Sequence, residues 1–327
     1  MTSAAALRAQ RGGAGMSRRR FLAAVGVAGT GVAADAFWVE PNRLTVTRHA
    51  VAPPAGGPTP GPTVRLVQLA DLHLQRVGRH ERRIAGAVRT LAPSLILLTG
   101  DAIDRADRLG TLDAFLGLLD AGTPKYAVLG NWEYFSGVGR LALERVYGRH
   151  GCRLLVNESV VHRHAGADLL ITGLDDLLAG QPSLGASLRG HAPLAHHVVL
   201  AHCPLQRDYL RGRLPARPWM ASPPPPEPDG AALVAHAPRL VLSGHTHGGQ
   251  VNLLGYCPWR PWGSGPYVSG WYASRDPGRA PDLYVSRGLG TADLPARFGA
   301  SPELPCFDWH LAAPSLAAEW RGAVQAA

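Results

Sequence analysis

The chain has 327 residues, 46% of them hydrophobic, and a formal net charge of +9. That length and apolar content suit one large domain with its own core and exclude a disordered or fibrous chain. Lys125 is the only lysine and the arginines are scattered along the chain, so no nucleic-acid partner is expected, although a basic surface favours anionic substrates or membrane headgroups.

Ser17-Arg18-Arg19-Arg20-Phe21-Leu22 reads as a twin-arginine box, followed by a small-residue apolar segment from Leu22 to about Ala36. The segment is short for a spanning helix and suits the apolar region of a signal, with Ala34-Asp35-Ala36 as a cleavage site; an uncleaved anchor helix is the other reading. Residues 1–36 are thus read as export signal or N-terminal anchor. This implies the twin-arginine export machinery as a partner and a periplasmic, extracytoplasmic or membrane-anchored location. Residues 37–63 form a Pro- and Gly-rich lead-in with a first strand near Arg43 to Val51. Residues 64–312 are the main domain and 313–327 a tail. Cys152, Cys203, Cys257 and Cys306 form no C-x-x-C pair, and spacing assigns no disulfide.

From Val64 one theme repeats: an apolar strand, a loop opening on a ligand-type residue, then a helical stretch. Val64 to Ala70 runs into Asp71-Leu72-His73, with a helix from Arg79 to Leu91. Leu95 to Leu98 runs into Thr99-Gly100-Asp101, with Asp104 beyond and a helix near Leu109 to Leu119. Lys125 to Leu129 runs into Gly130-Asn131-Trp132-Glu133, followed by a helix around Gly139 to His150. Leu154 to Val156, Ser159 to His162 and Leu169 to Thr172 read as antiparallel strands or hairpins. His197 to Ala201 runs into His202, and Leu240 to Leu242 into Ser243-Gly244-His245-Thr246-His247-Gly248-Gly249-Gln250. A further apolar run covers Val251 to Leu254. The insertion at 205–238 contains Pro223 to Pro226, which favours extended polyproline II, either as a flap over the site or as a surface excursion.

Loops at the carboxyl ends of parallel strands gather on one side of a sheet, and ligands bind there. Side chains two apart on an extended backbone share a face, so His245 and His247 are expected to reach one small volume. The pooled strand-end residues are Asp71, His73, Asp101, Asn131, His202, His245 and His247. A set of carboxylates and imidazoles without cysteine suits divalent Mn, Fe or Zn. Seven ligands exceed one tetrahedral site and fit two divalent ions if a carboxylate bridges, the arrangement that clamps a phosphoester and activates water.

Asp71-x-His73, Gly100-Asp101, Gly130-Asn131, His202 and Gly244-His245-x-His247, in this order and spacing, resemble the calcineurin-like metallophosphoesterases from about Val64 to Leu311. The Gly-His-Thr-His-Gly-Gly-Gln form, the twin-arginine box and Leu283-Tyr284-Val285-Ser286-Arg287-Gly288-Leu289-Gly290-Thr291 resemble the exported or membrane-associated bacterial phosphodiesterase branch. The resemblance implies a four-layer α-β-β-α sandwich of two mixed sheets flanked by helices. It implies one ion on Asp71, His73, Asp101 and His247, and another on Asp101, Asn131, His202 and His245, with Asp101 as the bridge. A bridging hydroxide would attack phosphorus while Asn131 and the metals stabilise the developing charge; Asn131, Asp101 and His202 are the catalytic candidates. The implied substrate is a diester or pyrophosphate, lipid- or nucleotide-linked, as for the related UDP-diacylglucosamine hydrolases of lipid A synthesis.

One position departs from the family pattern. The residue after Gly-Asn is usually a histidine taken to protonate the leaving group, and here it is Trp132, whose indole N–H cannot act as a general acid near neutral pH. Three readings follow. Catalysis continues through the two metals, limited to esters whose leaving groups need little protonation or that find another donor, such as Glu133 or a water; Trp132 walls the substrate, stacking on a base or an acyl chain; or the chain is a catalytically weakened metal-binding envelope protein. Asp104 stands where purple acid phosphatases carry an iron-binding tyrosine, which argues against that variant. Tyr256, Trp259, Trp262, Tyr267 and Trp271 read as an apolar rim for a lipid-like substrate or membrane surface, or as core.

Overall fold

The computed structural model describes residues 17–52, 60–211, 230–274 and 281–312. The run Pro223 to Pro226 and the tail 313–327 lie outside the described residues.

Two six-stranded sheets carry the fold. In chain order the strands are β1 (Thr45–Val51), β2 (Pro60–Leu69), β3 (Leu95–Thr99), β4 (Lys125–Val128), β5 (Cys152–Leu154), β6 (Glu158–His164), β7 (Ala167–Gly173), β8 (His197–Leu200), β9 (Leu240–Ser243), β10 (Gly270–Tyr272), β11 (Asp282–Val285) and β12 (Glu303–Ala312). The first sheet has the order β1-β12-β2-β3-β4-β5 and the second β10-β11-β9-β8-β7-β6. Strands β2 to β5 are mutually parallel, as are β7, β8, β9 and β11; β12 and β2 pair antiparallel, as do β6 with β7 and β10 with β11. Both sheets are therefore mixed.

Alternation along the strands sets the layers. Val64, Leu66, Leu95 and Leu97 of the first sheet join Leu169, Ile171, Val198, Leu240 and Leu242 of the second in one buried cluster with Phe307 and Trp309. The residues between them point outward. Val67, Leu69, Ile96 and Leu98 pack with Ile84 and Val88 of α2 (Arg79–Leu91), Leu112 and Phe115 of α3 (Leu109–Leu116), and Leu143 and Val146 of a later helix, Arg140–Arg149. On the other side Leu170, Val199, Val241 and Leu283 pack under Leu184, Tyr209 and Leu233 from three short helical segments. The result is helix, sheet, sheet, helix, and the interleaved apolar faces bury it at roughly 25 cal/mol per Å² of apolar surface.

Local differences from the expected elements have plain causes. The helix expected to Leu119 ends at Leu116, where Gly117 caps it. The strand at Cys152–Leu154 pairs parallel with β4 and joins the first sheet, so it belongs to no hairpin. Val251 to Leu254 makes only single bridges, Val251 with Phe298 and Leu253 with Tyr256, and Leu254 takes a left-handed φ of 54°.

Before β1, helix α1 (Arg18–Ala34) exposes Phe21, Leu22, Val27 and Val32. Among the described residues no helix is long and apolar enough to cross a membrane. The chain then docks on the domain. The Ala36 carbonyl accepts from the Arg297 N–H at 2.9 Å, and the Glu40 carboxylate accepts from Gly299 N–H at 2.9 Å and Ala300 N–H at 2.7 Å. Strand β1 closes the edge of the first sheet parallel to β12, so the lead-in supplies a strand of the sandwich.

Candidate metal centre

The carboxyl ends of the parallel strands meet at one rim. Asp71 and His73 follow β2, Asp101 follows β3, Asn131 opens the short helix Asn131–Phe135 after β4, His202 follows β8, and His245 and His247 follow β9. All seven are buried. Five stand on left-handed backbone: φ is 50° at Asp71, 43° at His73, 54° at Asp101, 73° at His245 and 52° at His247. L-residues avoid this region, and it persists only where the surroundings over-determine it, as they do at functional sites.

That backbone corrects the expectation that His245 and His247 act as an extended i, i+2 pair aimed at one volume. The turn sends the two rings into neighbouring groups. In one group, His73 Nε2 and His247 Nε2 face each other at 3.0 Å, and His247 Nε2 lies 4.0 Å from Asp71 Oδ1. In the other, His202 Nε2 lies 3.2 Å from His245 Nδ1, 3.2 Å from Asn131 Oδ1 and 3.0 Å from Asp101 Oδ2. Ligand atoms of Asp71, His73 and His247 all lie within 4.8 Å of one another, as do those of Asp101, His202 and His245. Asp101 Oδ2 stands between the groups, 3.8 Å from His73 Nε2.

The outward nitrogens explain why the inward ones suit a cation. His73 Nδ1 bonds the Asp104 carboxylate, His202 Nδ1 donates to the Thr99 carbonyl at 2.9 Å, and His245 Nε2 donates to the Trp262 carbonyl. A ring that spends its N–H outward keeps a lone pair inward, the arrangement that orients a metal-ligating imidazole. In the second group four acceptor atoms thus converge with few protons to share. Asp71 Oδ1 accepts from His245 N–H at 2.7 Å, while its Oδ2 is buried without a hydrogen bond. An unpaired buried carboxylate oxygen is costly unless a cation meets it. The donor set and this orphaned oxygen fit divalent ions.

The electrostatics point the same way. Burial opposes charge on His202, but the Asp101 carboxylate outweighs it and holds the ring up at about 10. Asp101, despite burial, is drawn down to about 2 by His202. Burial pushes Asp71 up to about 6, and burial with the charge on His202 pushes His245 down to about 3.

The surroundings permit no side chain at two points. A Cβ at Gly244 would stand 2.3 Å from Asp71 Oδ2, and one at Gly130 2.2 Å from Asp101 Oδ1. Arg297, fully buried, donates to the carbonyls of Arg287 at 2.8 Å and Ala300 at 2.7 Å, and its guanidinium lies 3.4 Å from His247 Nδ1. It fixes the wall behind His247.

Glu133 is not the substitute proton donor that its position suggests. Its Oε1 accepts from Ala102 N–H at 2.6 Å and Ile103 N–H at 3.4 Å, and its Oε2 from Asp101 N–H at 3.0 Å and Gly130 N–H at 2.7 Å. The buried carboxylate clamps the Asp101 loop to the Asn131 loop, with both oxygens committed to backbone. Burial, then the Asp101 charge, pushes it up to about 7. Trp132 does face the site. Its ring stands edge-on to His73 at 6.2 Å and to Phe135 at 6.0 Å, and its backbone N–H donates to Asp101 Oδ1 at 2.9 Å.

A cleft of about 210 Å³ opens over Asp101, His245 and His247, walled by Trp132, Phe135, Trp259 and Trp262. Tyr256 is exposed outside it, whereas Tyr267 is core and Trp271 stacks edge-on to His49 and Tyr284 at the far end of the second sheet. The four cysteines are free thiols.

A family model described as calcineurin-like phosphoesterase matches residues 64–249, from β2 through the turn that carries His245 and His247. The chain belongs to the calcineurin-like phosphoesterases. It is 29% identical over 308 residues to the uncharacterized metallophosphoesterase YkuE of Bacillus subtilis (strain 168), covering 89% of this chain and 97% of that one. It is 28% identical over 288 residues to the phosphodiesterase YaeI of Escherichia coli (strain K12), covering 84% and 93%. Among solved structures it is similar to a dimetal phosphatase from Danio rerio, at 13% identity and a TM-score of 0.42 over 70% of this chain and 88% of that one. As a calcineurin-like phosphoesterase it is a phosphoester hydrolase of a metal-dependent family, and its buried carboxylate and imidazole groups are the candidate metal ligands.

Proposed function

We propose that the chain hydrolyses phosphodiesters or pyrophosphates with two divalent ions, Mn, Fe or Zn. Asp71, His73 and His247 would hold one ion, Asn131, His202 and His245 the other, with Asp101 shared. The observation that carries this reading is the position of Asp101 Oδ2, 3.0 Å from His202 Nε2 and 3.8 Å from His73 Nε2. When bound, such ions neutralise charge on the phosphoryl group and make water acidic enough to supply hydroxide near neutrality. The chain's own residues do the rest. Asp104, Thr99 and the Trp262 carbonyl orient the imidazoles, and Asn131 turns its carbonyl oxygen to His202 and so keeps its amide N–H groups for a phosphoryl oxygen.

A lipid- or nucleotide-linked substrate is supported by the exposed Trp259 and Trp262 at the cleft mouth, since amphipathic rings accept either an acyl chain or a base. Export by the twin-arginine route is supported by Arg18 and Arg19 at the start of an apolar helix. A reading as a metal-binding protein without turnover is favoured by Trp132 alone. The test is hydrolysis of an activated diester and of a nucleotide-linked diacyl lipid by the Mn-reconstituted chain. Metal binding without hydrolysis of either would leave the binding-protein reading and remove the enzymatic one.

A further inference from the structure

Divalent ions held by the ligand groups would supply hydroxide in the cleft, but little there protonates what leaves. Of the polar side chains over it, Asp101, Asn131, His245 and His247 belong to the metal-ligand groups, and Thr246 donates its hydroxyl to the Val268 carbonyl. Gln250 is an amide and donates to the carbonyls of Ala292 and Leu294. Beside the cleft, the Tyr134 hydroxyl donates to Asp175, and burial then that carboxylate push its pKa far up. Glu133 is committed to four backbone N–H groups. Trp132 occupies the wall next to His73 and cannot give up a proton near neutral pH. Among the described residues this leaves Asp293, an exposed carboxylate at the mouth, as the one further acid lining the cleft.

Resting on the hydrolase reading above, we infer that the site selects its substrate by leaving group and takes phosphoanhydrides and aryl phosphoesters over alkyl phosphoesters. The shared chemistry is a leaving oxygen stable as an anion near neutral pH. Hydroxide oxygen forms the new bond to phosphorus. The bond from phosphorus to the leaving oxygen breaks, both electrons stay with that oxygen, and it departs as an aryloxide or a phosphate anion without taking a proton from the protein. A positioned general acid is worth roughly 10²–10⁴ in rate where the leaving group is basic and little where it is not. Trp132 forgoes that factor and presents an apolar face to the departing group.

The test is kcat/KM of the metal-loaded full chain on diesters that differ only in the alcohol released, para-nitrophenol, phenol or benzyl alcohol. A nucleoside diphosphate ester, which releases a phosphate group, forms the second arm. The wild type should hydrolyse the para-nitrophenyl ester and the anhydride, and lose rate steeply towards the benzyl ester. Trp132→His should raise the ratio of benzyl to para-nitrophenyl release by roughly 10²–10⁴. Trp132→Phe, which keeps the apolar wall, should retain the steep wild-type dependence, and it carries the test if the histidine variant fails to fold. A flat wild-type dependence, an equal gain by Trp132→His across the series, or loss of benzyl release in Asp293→Asn would overturn the inference while leaving the hydrolase reading intact. No turnover of any member would overturn both.

Discussion

Removing the Glu133 carboxylate should destabilise the fold, and the size of the loss separates a structural clamp from a proton donor. Glu133→Ala leaves the buried N–H groups of Asp101, Ala102 and Gly130, now bonded at 3.0, 2.6 and 2.7 Å, without an acceptor. Each orphaned donor costs about 1–3 kcal/mol, and because neighbouring losses overlap, the expected total is about 4 kcal/mol, a large share of a domain's 5–15 kcal/mol. Glu133→Gln keeps one acceptor oxygen and turns an NH₂ group towards N–H donors, so about half that loss follows. The assay is urea unfolding of the metal-free chain, where a lower midpoint at constant slope reports the change. Arg163→Ala, which breaks the exposed Arg163–Asp168 pair at 2.9 Å, serves as the control and should cost under about 1 kcal/mol. Unchanged midpoints in both Glu133 variants, with kcat lost in Glu133→Gln, would refute the clamp and return Glu133 to acid chemistry.

Asp104→Asn removes the carboxylate that bonds His73 Nδ1 without opening a core cavity; metal affinity by competition with a chelator should fall roughly 10- to 100-fold while the unfolding midpoint of the metal-free chain holds. His197, buried on β8 with its Nε2 2.8 Å from the Thr172 hydroxyl of the neighbouring β7, is pushed by burial from 6.5 down to about 4. The unfolded chain therefore binds a proton that the folded chain refuses, and the stability present above pH 6.5 is lost as pH falls towards 4, by about 3 kcal/mol. Unfolding free energies across that window should fall less in His197→Asn than in the wild type, and parallel curves would contradict the assignment.

The rim was legible in the sequence because its grammar is local. An apolar run that ends in Asp, His or Asn names a strand and the residue at its carboxyl end, and parallel pairing of β2, β3, β4 and of β8 with β9 then gathers those ends. What surrounds the rim was not legible. Glu133 clamps two loops across 31 and 32 residues of chain, Asp104 reaches back to His73, and Arg297 reaches from beyond β11 to His247. Such contacts have no period or spacing to betray them; a polar residue two to four positions from a ligand is the one available cue, and Asp104 and Glu133 both have it. The left-handed backbone at His245 and His247 was hidden for another reason. Neither is glycine, so only the packed surroundings hold that conformation, and a strand-based rule aimed both rings at one volume.

The most direct test of the account is a crystal structure of the Mn-loaded chain with anomalous scattering collected at the metal edge. Two peaks are predicted per chain, one ringed by Asp71, His73 and His247 and the other by Asn131, His202 and His245, with Asp101 reaching both and the ions about 3.5–4 Å apart. A single peak, peaks elsewhere in the fold, or Asp101 bound to neither ion would contradict it.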